Sequence, residues 1–526
     1  MKKLYVNVDI NSKPFPFLEK LSEQERITED MLYPFVDVYR LTGATDILIN
    51  VYCMFSGVKS EFLPDYREIM AGRENWGDRA FFYRTWEGLY NVQENHGIDV
   101  YGTWIDRCRQ VGLNPWISIR MNDCHGSSNR KSLSKKDLFE KALAEGWVLG
   151  EDYGYYKTCY DYSVKEVRDR MLGYIRELVT KYDPYGLELD FLREYHCFRY
   201  LTANMDECRE IMVGFIRDVR AILDERGEVY GHRIKILMRV PRDVAHCYYY
   251  GFDIERMAKE GLIDVVNASP RFTASESGID VDEWRRALPG VEIIPGLDGT
   301  LGLVGDNRFC TMLCREMIFG LAANYLSYDP EGLYVYNGFI SPHMFWNMYT
   351  PLCKTERYML DDCDEVLYPE AGVTLRLMNL IAITNYDMLQ NSALRFVIIP
   401  EAFEACAGYP KMWRPLPAEI GAEPTCLDIR TGVIKKGKKC SVIVGFEGGH
   451  SDFEASLNGC KLDGFEVVDL RFLEGIGYQP DNCVTKNTVC YRAKFDEDIL
   501  TAPTQKLEVR SDRGDLTLTW AEINVY

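Results

Sequence analysis

The chain has no long apolar run, and only seven of its 526 residues are histidine. No segment approaches the ~20 consecutive apolar residues that a bilayer-spanning helix needs. The opening MKKLYVNVDIN carries two lysines, but Asn7, Asp9 and Asn11 interrupt the stretch behind them. It reads as a strand rather than a signal peptide, and the expected address is the cytoplasm. Positive charge is short: 61 Lys and Arg face 80 Asp and Glu, a net charge of −19. Nucleic acid and membrane surfaces are therefore not expected partners, because both are held by excess cations. A neutral ligand is compatible with that balance, and a homo-oligomer stays open. There is no P-loop, no G-x-S-x-G elbow and no glycine-rich phosphate turn after the first strand. The histidines form neither HExxH nor a His-x-His pair. Asp123, His125, Glu194, His196 and His343 would have to make any divalent-ion site. They read instead as ligand or supporting groups, so neither metal nor cofactor is expected. The 17 cysteines are odd in number and scattered, which suits reduced thiols. Cys310 and Cys314, in CTMLC, lack a second pair at zinc spacing and read as core. No internal repeat or low-complexity tract occurs.

What is present is a core and an alternating pattern. Apolar residues make up 47% and charged residues 27%, ordinary for a folded chain. Eight short β-like runs, at 4–9, 46–52, 115–121, 186–191, 234–240, 263–268, 291–297 and 333–336, alternate with amphipathic stretches at 102–111, 164–181, 205–225 and 311–325. In 164–181 the apolar residues Val167, Met171, Ile175 and Val179 recur every fourth position and mark one helix face. Eight strands with helical spacers predict an α/β fold, a (β/α)8 TIM-type barrel, with an open doubly wound sheet as competitor. From about 391 the texture changes. Runs at 394–399, 440–446, 453–457, 489–495, 505–509 and 516–525 are joined by Gly, Asp, Asn and Lys turns. They predict a C-terminal all-β sandwich or jelly-roll domain over 391–526, behind a catalytic barrel at 1–390.

The stretch with most chemical content is YGLELDFLRE, 185–194. A strand alternates its faces, so Glu188 and Asp190 share one face and Leu187, Leu189 and Phe191 the other. Two carboxylates on an otherwise apolar strand are costly to bury unpaired, which implies an ion network or a reaction centre. The other strands supply polar residues at the same end. The first offers Asn7 and Asp9, the second Asn50, and the third Arg120 and Asn122 with His125 following. The fifth offers Arg239, the sixth Asn267, the seventh Asp298, and the eighth Tyr336 and Asn337, with Trp346 beyond. In a closed barrel these converge on one mouth. Amides, arginines, a tyrosine and carboxylates suit a hydroxyl-rich ligand, and Trp116, Tyr336, Phe345 and Trp346 could supply aromatic platforms. Glycoside hydrolysis needs two carboxyl groups flanking the scissile bond. Asp190, Asp298 and Glu194 are the catalytic candidates. Asp9, Asn50, Arg120, Asn122, His125, Glu188, Arg239, Asn267, Tyr336, Asn337 and Trp346 are the substrate-binding ones. Asp298, in PGLDGT, also fits a plain turn. Arg120 and Arg239 are expected to point inward and pair with Glu188 or Asp190.

With YGLELDFLRE on the fourth strand, NPWISIRMNDCHG on the third and NYLSYDPEGLYVYNGF on the eighth, the chain resembles the bacterial glycoside-hydrolase-like (β/α)8 barrels over roughly 1–390. The resemblance implies a glycoside hydrolase, and the expected cytoplasmic address favours a small oligosaccharide or glycoside as its substrate. Two better-known patterns fail to match. The chitinase-like D-G-x-D-x-D-x-E would place its catalytic glutamate at Leu192. The alpha-amylase family would put an acid glutamate on the fifth strand, which ends here in Arg239 and Pro241. Two alternatives remain at this stage: a metal-assisted lyase or isomerase gripping a sugar acid with Arg120 and Arg239, and a carbohydrate-binding protein without turnover.

Overall fold

The computed structural model describes residues 2–8, 18, 21–22, 24–52, 54–71, 86–124, 136–269, 278–298, 300–301, 311–312, 315–336, 382–398, 415–448, 452–470, 472–473, 477–478, 488–512 and 516–526. Eight strands form a closed, all-parallel ring: β1 Lys3–Val8, β2 Asp46–Tyr52, β3 Asn114–Arg120, β4 Gly186–Asp190, β5 Lys235–Pro241, β6 Val265–Ser269, β7 Glu292–Asp298 and β8 Gly332–Tyr336. They run in sequence order around the ring, with β8 paired back onto β1. All eight runs expected from the sequence are in it, with ends displaced by two residues at most. Helices fill the crossovers, as a parallel ring demands. They include α1 Tyr33–Leu41, α2 Val100–Gln110, α3 Lys165–Lys181, α4 Met205–Tyr230, α5 Val244–Tyr249, α6 Val281–Ala287 and α7 Arg315–Ser327. Their starts are written locally: Asp99, Asn204, Asp243 and Asp280 each accept a backbone N–H as N-cap. Gly231, at φ 78°, ends α4 in the left-handed conformation.

The bore of the ring is filled from the bottom. Tyr5, Leu48, Trp116, Leu237, Val265 and Ile294 make an apolar floor. Trp116 belongs to this floor and is not a platform at the mouth. Its Nε1 donates to Asp46 at 2.8 Å, and its ring lies over Gly186. A Cβ at residue 186 would stand 2.2 Å from that ring, so the glycine opening β4 is what admits the indole. Below the floor, Lys3 and Lys235 both bind Glu292, at 2.5 and 2.9 Å.

Antiparallel sheets follow. β9 Leu394–Ile398, β10 Ala418–Ile420, β11 Thr425–Arg430, β12 Lys439–Glu447, β13 Glu454–Leu457, β14 Cys460–Leu462, β15 Glu466–Val468, β16 Thr488–Asp496, β17 Thr504–Arg510 and β18 Leu516–Val525 divide between them. One sheet is ordered β9–β18–β12–β16–β15, with β10 also on β18; the other is β11–β17–β13–β14. The expected boundary at 390/391 falls between the short helix Tyr386–Gln390 and β9. β9 packs on α7 so closely that a Cβ on Gly320 would lie 2.2 Å from the Arg395 carbonyl oxygen. A second tie joins Arg430 of β11 to Asp280, the N-cap of α6, at 3.2 Å. The described cysteines are free thiols. Among the described residues no helix is long and apolar enough to cross a membrane.

Candidate active site

Above the floor, the inward positions of the strands turn polar in two tiers. The deeper tier is built around Glu188, which is fully buried. Tyr334 on β8 donates its phenol hydrogen to Oε1, and Asn7 on β1 donates to Oε2 at 2.8 Å and to Ser118 Oγ at 3.1 Å. Sequence reasoning expected an arginine on the acids of β4, but Glu188 receives neutral donors. Burial first, and then the charge of Asp190, push its carboxyl up to about 7, against the pull of Ser118, Tyr334 and Arg239. A carboxyl in this setting holds a proton far more readily than an exposed one.

The upper tier, at the mouth, is built around Asp190. Arg239 on the adjoining β5 donates to Oδ1 at 2.8 Å, and the backbone N–H of Arg193 donates to the same oxygen at 3.0 Å. Asp190 and Arg239 are register partners, so the pair is a direct consequence of strand pairing. The other oxygen, Oδ2, is buried and has no hydrogen-bond partner among the described residues. The Arg239 guanidinium lies 3.4 Å from the ring centroid of Tyr336, and Arg120 approaches the same ring at 6.0 Å. Burial works to lower the Arg239 pKa, but Asp190 and the two tyrosines outweigh it and keep the guanidinium firmly charged.

Arg120 points into the mouth but does not reach Glu188 or Asp190 as expected; it pairs with Asp123 at 3.3 Å. Asp123 follows Arg120 by three residues in the same chain segment. Arg193 bridges Asp123 and Glu194, each at 3.8 Å. Each of the three guanidinium groups thus has a carboxylate of its own at hand. Glu194, in the loop after β4, is fully buried and accepts from the Tyr155 hydroxyl at 3.4 Å.

The remaining sequence candidates divide sharply. Asn122 spends its amide on backbone: Nδ2 donates to Tyr160 and His196 carbonyls at 2.9 and 3.0 Å, and Oδ1 accepts from the Tyr160 N–H at 2.8 Å. Asn267 donates to the Ile294 carbonyl and accepts from Ser269, both at 2.8 Å. Their place in the bore is to tie strands and loops together. Asn50 donates to the Tyr52 carbonyl at 3.3 Å, while its Oδ1 is buried and unpartnered. β7 brings the Asp298 backbone into register with Tyr336 at the mouth, and the description of Asp298 ends there. Asp9, His125, Asn337 and Trp346 lie outside the described residues, as do His343, Phe345, Cys310 and Cys314. His196 is fully buried and stacks on Tyr156 and Tyr195, with centroids 3.6 and 4.4 Å apart. Among the described residues no cluster of three or more His, Cys, Asp or Glu side chains is placed to hold a metal ion.

Tyr334 was the residue sequence reading passed over. Its only signal was the alternation that puts it on the same face as Tyr336, two residues on. That it faces Glu188 follows from ring closure, which sets β8 opposite β4.

No protein-family model and no curated protein matches the chain. Among solved structures it is similar to a family 18 N-acetylglucosaminidase from Paenibacillus barengoltzii, with 15% identity over 57% of this chain and 69% of that one and a TM-score of 0.29. It is similar to the PgaB (BpsB) glycoside hydrolase domain from Bordetella bronchiseptica, with 12% identity over 68% and 99% and a TM-score of 0.37. It is also similar to the alpha-fucosidase of Thermotoga maritima, with 12% identity over 96% and 94% and a TM-score of 0.33. The barrel assignment stands on the closed strand ring itself.

Proposed function

We propose that this chain is a glycoside hydrolase that cleaves a small oligosaccharide or glycoside, with Asp190 as the carboxylate at the reaction centre. The observation that carries the reading is the state of that side chain. One oxygen is clamped by Arg239 and a backbone N–H, and the other is buried, free and at the C-terminal mouth of a closed barrel, the end where such folds place their chemistry. A carboxylate fixed in orientation by a guanidinium is suited to attack carbon or to activate water. The second carboxyl group, which protonates the leaving oxygen, comes from Glu194 or Asp298. The matched charges of the mouth favour a neutral substrate. Arg120, Arg193 and Arg239 are each committed to a carboxylate, so a sugar acid would have to displace an existing pair. The expected setting is the cytoplasm, which favours imported short substrates over polymers.

The test is release of sugar from a panel of nitrophenyl glycosides and short oligosaccharides, with and without EDTA, by the wild type and by Asp190→Asn. The expected result is EDTA-insensitive turnover of at least one substrate, abolished by the substitution. Turnover lost to EDTA and restored by a divalent ion, or wild-type rates in the variant, would overturn the reading.

A further inference from the structure

β4 and β8 stand opposite each other in the ring, and each carries a polar residue at two successive inward levels. At the deeper level the pair is Glu188 and Tyr334, an acid and a phenol that meet across the bore and satisfy each other. Two residues further along both strands the same combination recurs as Asp190 and Tyr336. There the two groups do not meet. Asp190 Oδ2 and the Tyr336 phenol oxygen are both buried and, among the described residues, both without a hydrogen-bond partner. Neither can easily turn away. Asp190 is held through its other oxygen, and the Tyr336 ring is stacked on the Arg239 guanidinium at 3.4 Å. Buried polar atoms are almost always satisfied, and two orphans at one level of a bore whose lower level is closed mark a position meant for a third group.

We infer that one hydroxyl group of a neutral polyol sits between Asp190 Oδ2 and the Tyr336 phenol, donating its hydrogen to the carboxylate and accepting the hydrogen of the phenol. A hydroxyl is the group that can do both through a single atom. A carboxylate or phosphate has no hydrogen to offer Asp190 and meets its negative charge, and an ammonium cannot accept from the phenol. The level is already neutral, because the charge of Asp190 is matched by Arg239. Tyr336 is therefore a substrate-binding residue with two separable parts: a ring that steadies Arg239 and a hydroxyl that touches the ligand. Identifying the polyol as a sugar rests on the hydrolase reading; the hydroxyl position between the two side chains does not.

The experiment uses the full chain and four neutral monosaccharides, D-glucose, D-galactose, D-mannose and D-xylose, titrated by calorimetry into wild type and Tyr336→Phe. The substitution keeps the ring on Arg239 and removes only the hydroxyl, so the thermal midpoint should not move. At least one sugar should bind the wild type, and Tyr336→Phe should weaken it by about tenfold or more, the worth of a hydrogen bond in a buried site. A crystal structure of the wild-type complex, which does not depend on how the variant folds, should place one sugar hydroxyl within hydrogen-bonding distance of both atoms. Equal affinity in the two proteins, binding of none of the four, or a bound sugar that touches neither atom would overturn the inference. Affinity that depends on Tyr336 without hydrolysis of any glycoside retains this position and removes the hydrolase. Hydrolysis with an affinity indifferent to Tyr336 does the reverse.

Discussion

Two arginine–carboxylate pairs are buried in this molecule with the same separation and opposite characters. In the C-terminal sheets Arg395 donates to Glu522 Oε2 at 2.8 Å, Trp520 Nε1 adds a second bond to that oxygen at 3.1 Å, and Asn524 occupies Oε1 at 2.8 Å. In the barrel Arg239 donates to Asp190 Oδ1 at 2.8 Å, and Oδ2 is left open. Burial and distance do not distinguish the two. What differs is completeness: the acid in the sheets has both oxygens taken by protein, and the acid in the barrel has one to spare. A buried charge with every lone pair spoken for holds structure together; the second oxygen of Asp190 is what the role proposed for it rests on.

The sharpest way to break that comparison is to neutralise each acid. Asp190→Asn keeps the size of the side chain and an acceptor for Arg239, and on the role proposed for Asp190 it should lower turnover by roughly three orders of magnitude or more. Glu522→Gln should leave turnover per folded molecule unchanged. Steady-state rates of the two purified variants decide it; comparable losses in both would erase the distinction. The stability effects should run the other way for the sheets. Glu522→Gln removes the charge that faces Arg395, and losing one partner of a buried pair costs about 3–5 kcal/mol. Urea unfolding of the variant should show that loss, and a shift below about 1 kcal/mol would mean that the network is ornamental.

A third expectation concerns the deeper tier. The Glu188 carboxyl is raised from 4.5 to about 7, so between those values the folded chain holds a proton that the unfolded chain has released. The native state binds more protons across that window, and stability must fall as pH rises through it, contrary to the usual behaviour of a salt-bridged carboxylate. Glu188→Gln removes the titration. Its stability relative to wild type should therefore improve from pH 5 to pH 7.5 by a few kcal/mol, on the ~1.4 kcal/mol per pKa unit scale. Parallel denaturation curves at the two pH values would show that Glu188 is not the group responsible. The smallest effect belongs below the floor. Lys3 is partly exposed, and Glu292 keeps Lys235 at 2.9 Å when Lys3 is lost. Lys3→Ala should cost under about 1 kcal/mol by thermal unfolding and nothing in turnover.

How far the sequence disclosed all this depended on whether an interaction follows from spacing or from closure. The eight barrel strands were legible because apolar runs bounded by turn residues have a short period and the strands are buried on both faces. Asp190 with Arg239 was legible too, as polar inward residues on neighbouring strands fall into register. The short strands Ala418–Ile420, Thr425–Arg430, Cys460–Leu462 and Glu466–Val468 were not, because they are brief and half-exposed, and carry little apolar signal. Contacts across the bore were also hidden. That Tyr334 rather than an arginine answers Glu188 depends on which strands end up opposite, and that Trp116 plugs the floor depends on the missing side chain at Gly186. The amides of Asn122 and Asn267 looked like sugar ligands because their residue type fits both uses; only the backbone around them shows that they are already occupied.

Gly320 gives the join between barrel and tail a character of its own. The helix has no side chain where the Arg395 carbonyl passes, and a single methyl there would meet that oxygen at 2.2 Å. It is a mortise cut without clearance. A recombination that exchanged the tail for another β module would bring a strand whose carbonyls fall elsewhere along the helix, and a drift from glycine to alanine at 320 would lever the native strand off its seat. In mechanical terms barrel and tail are one casting at this seam.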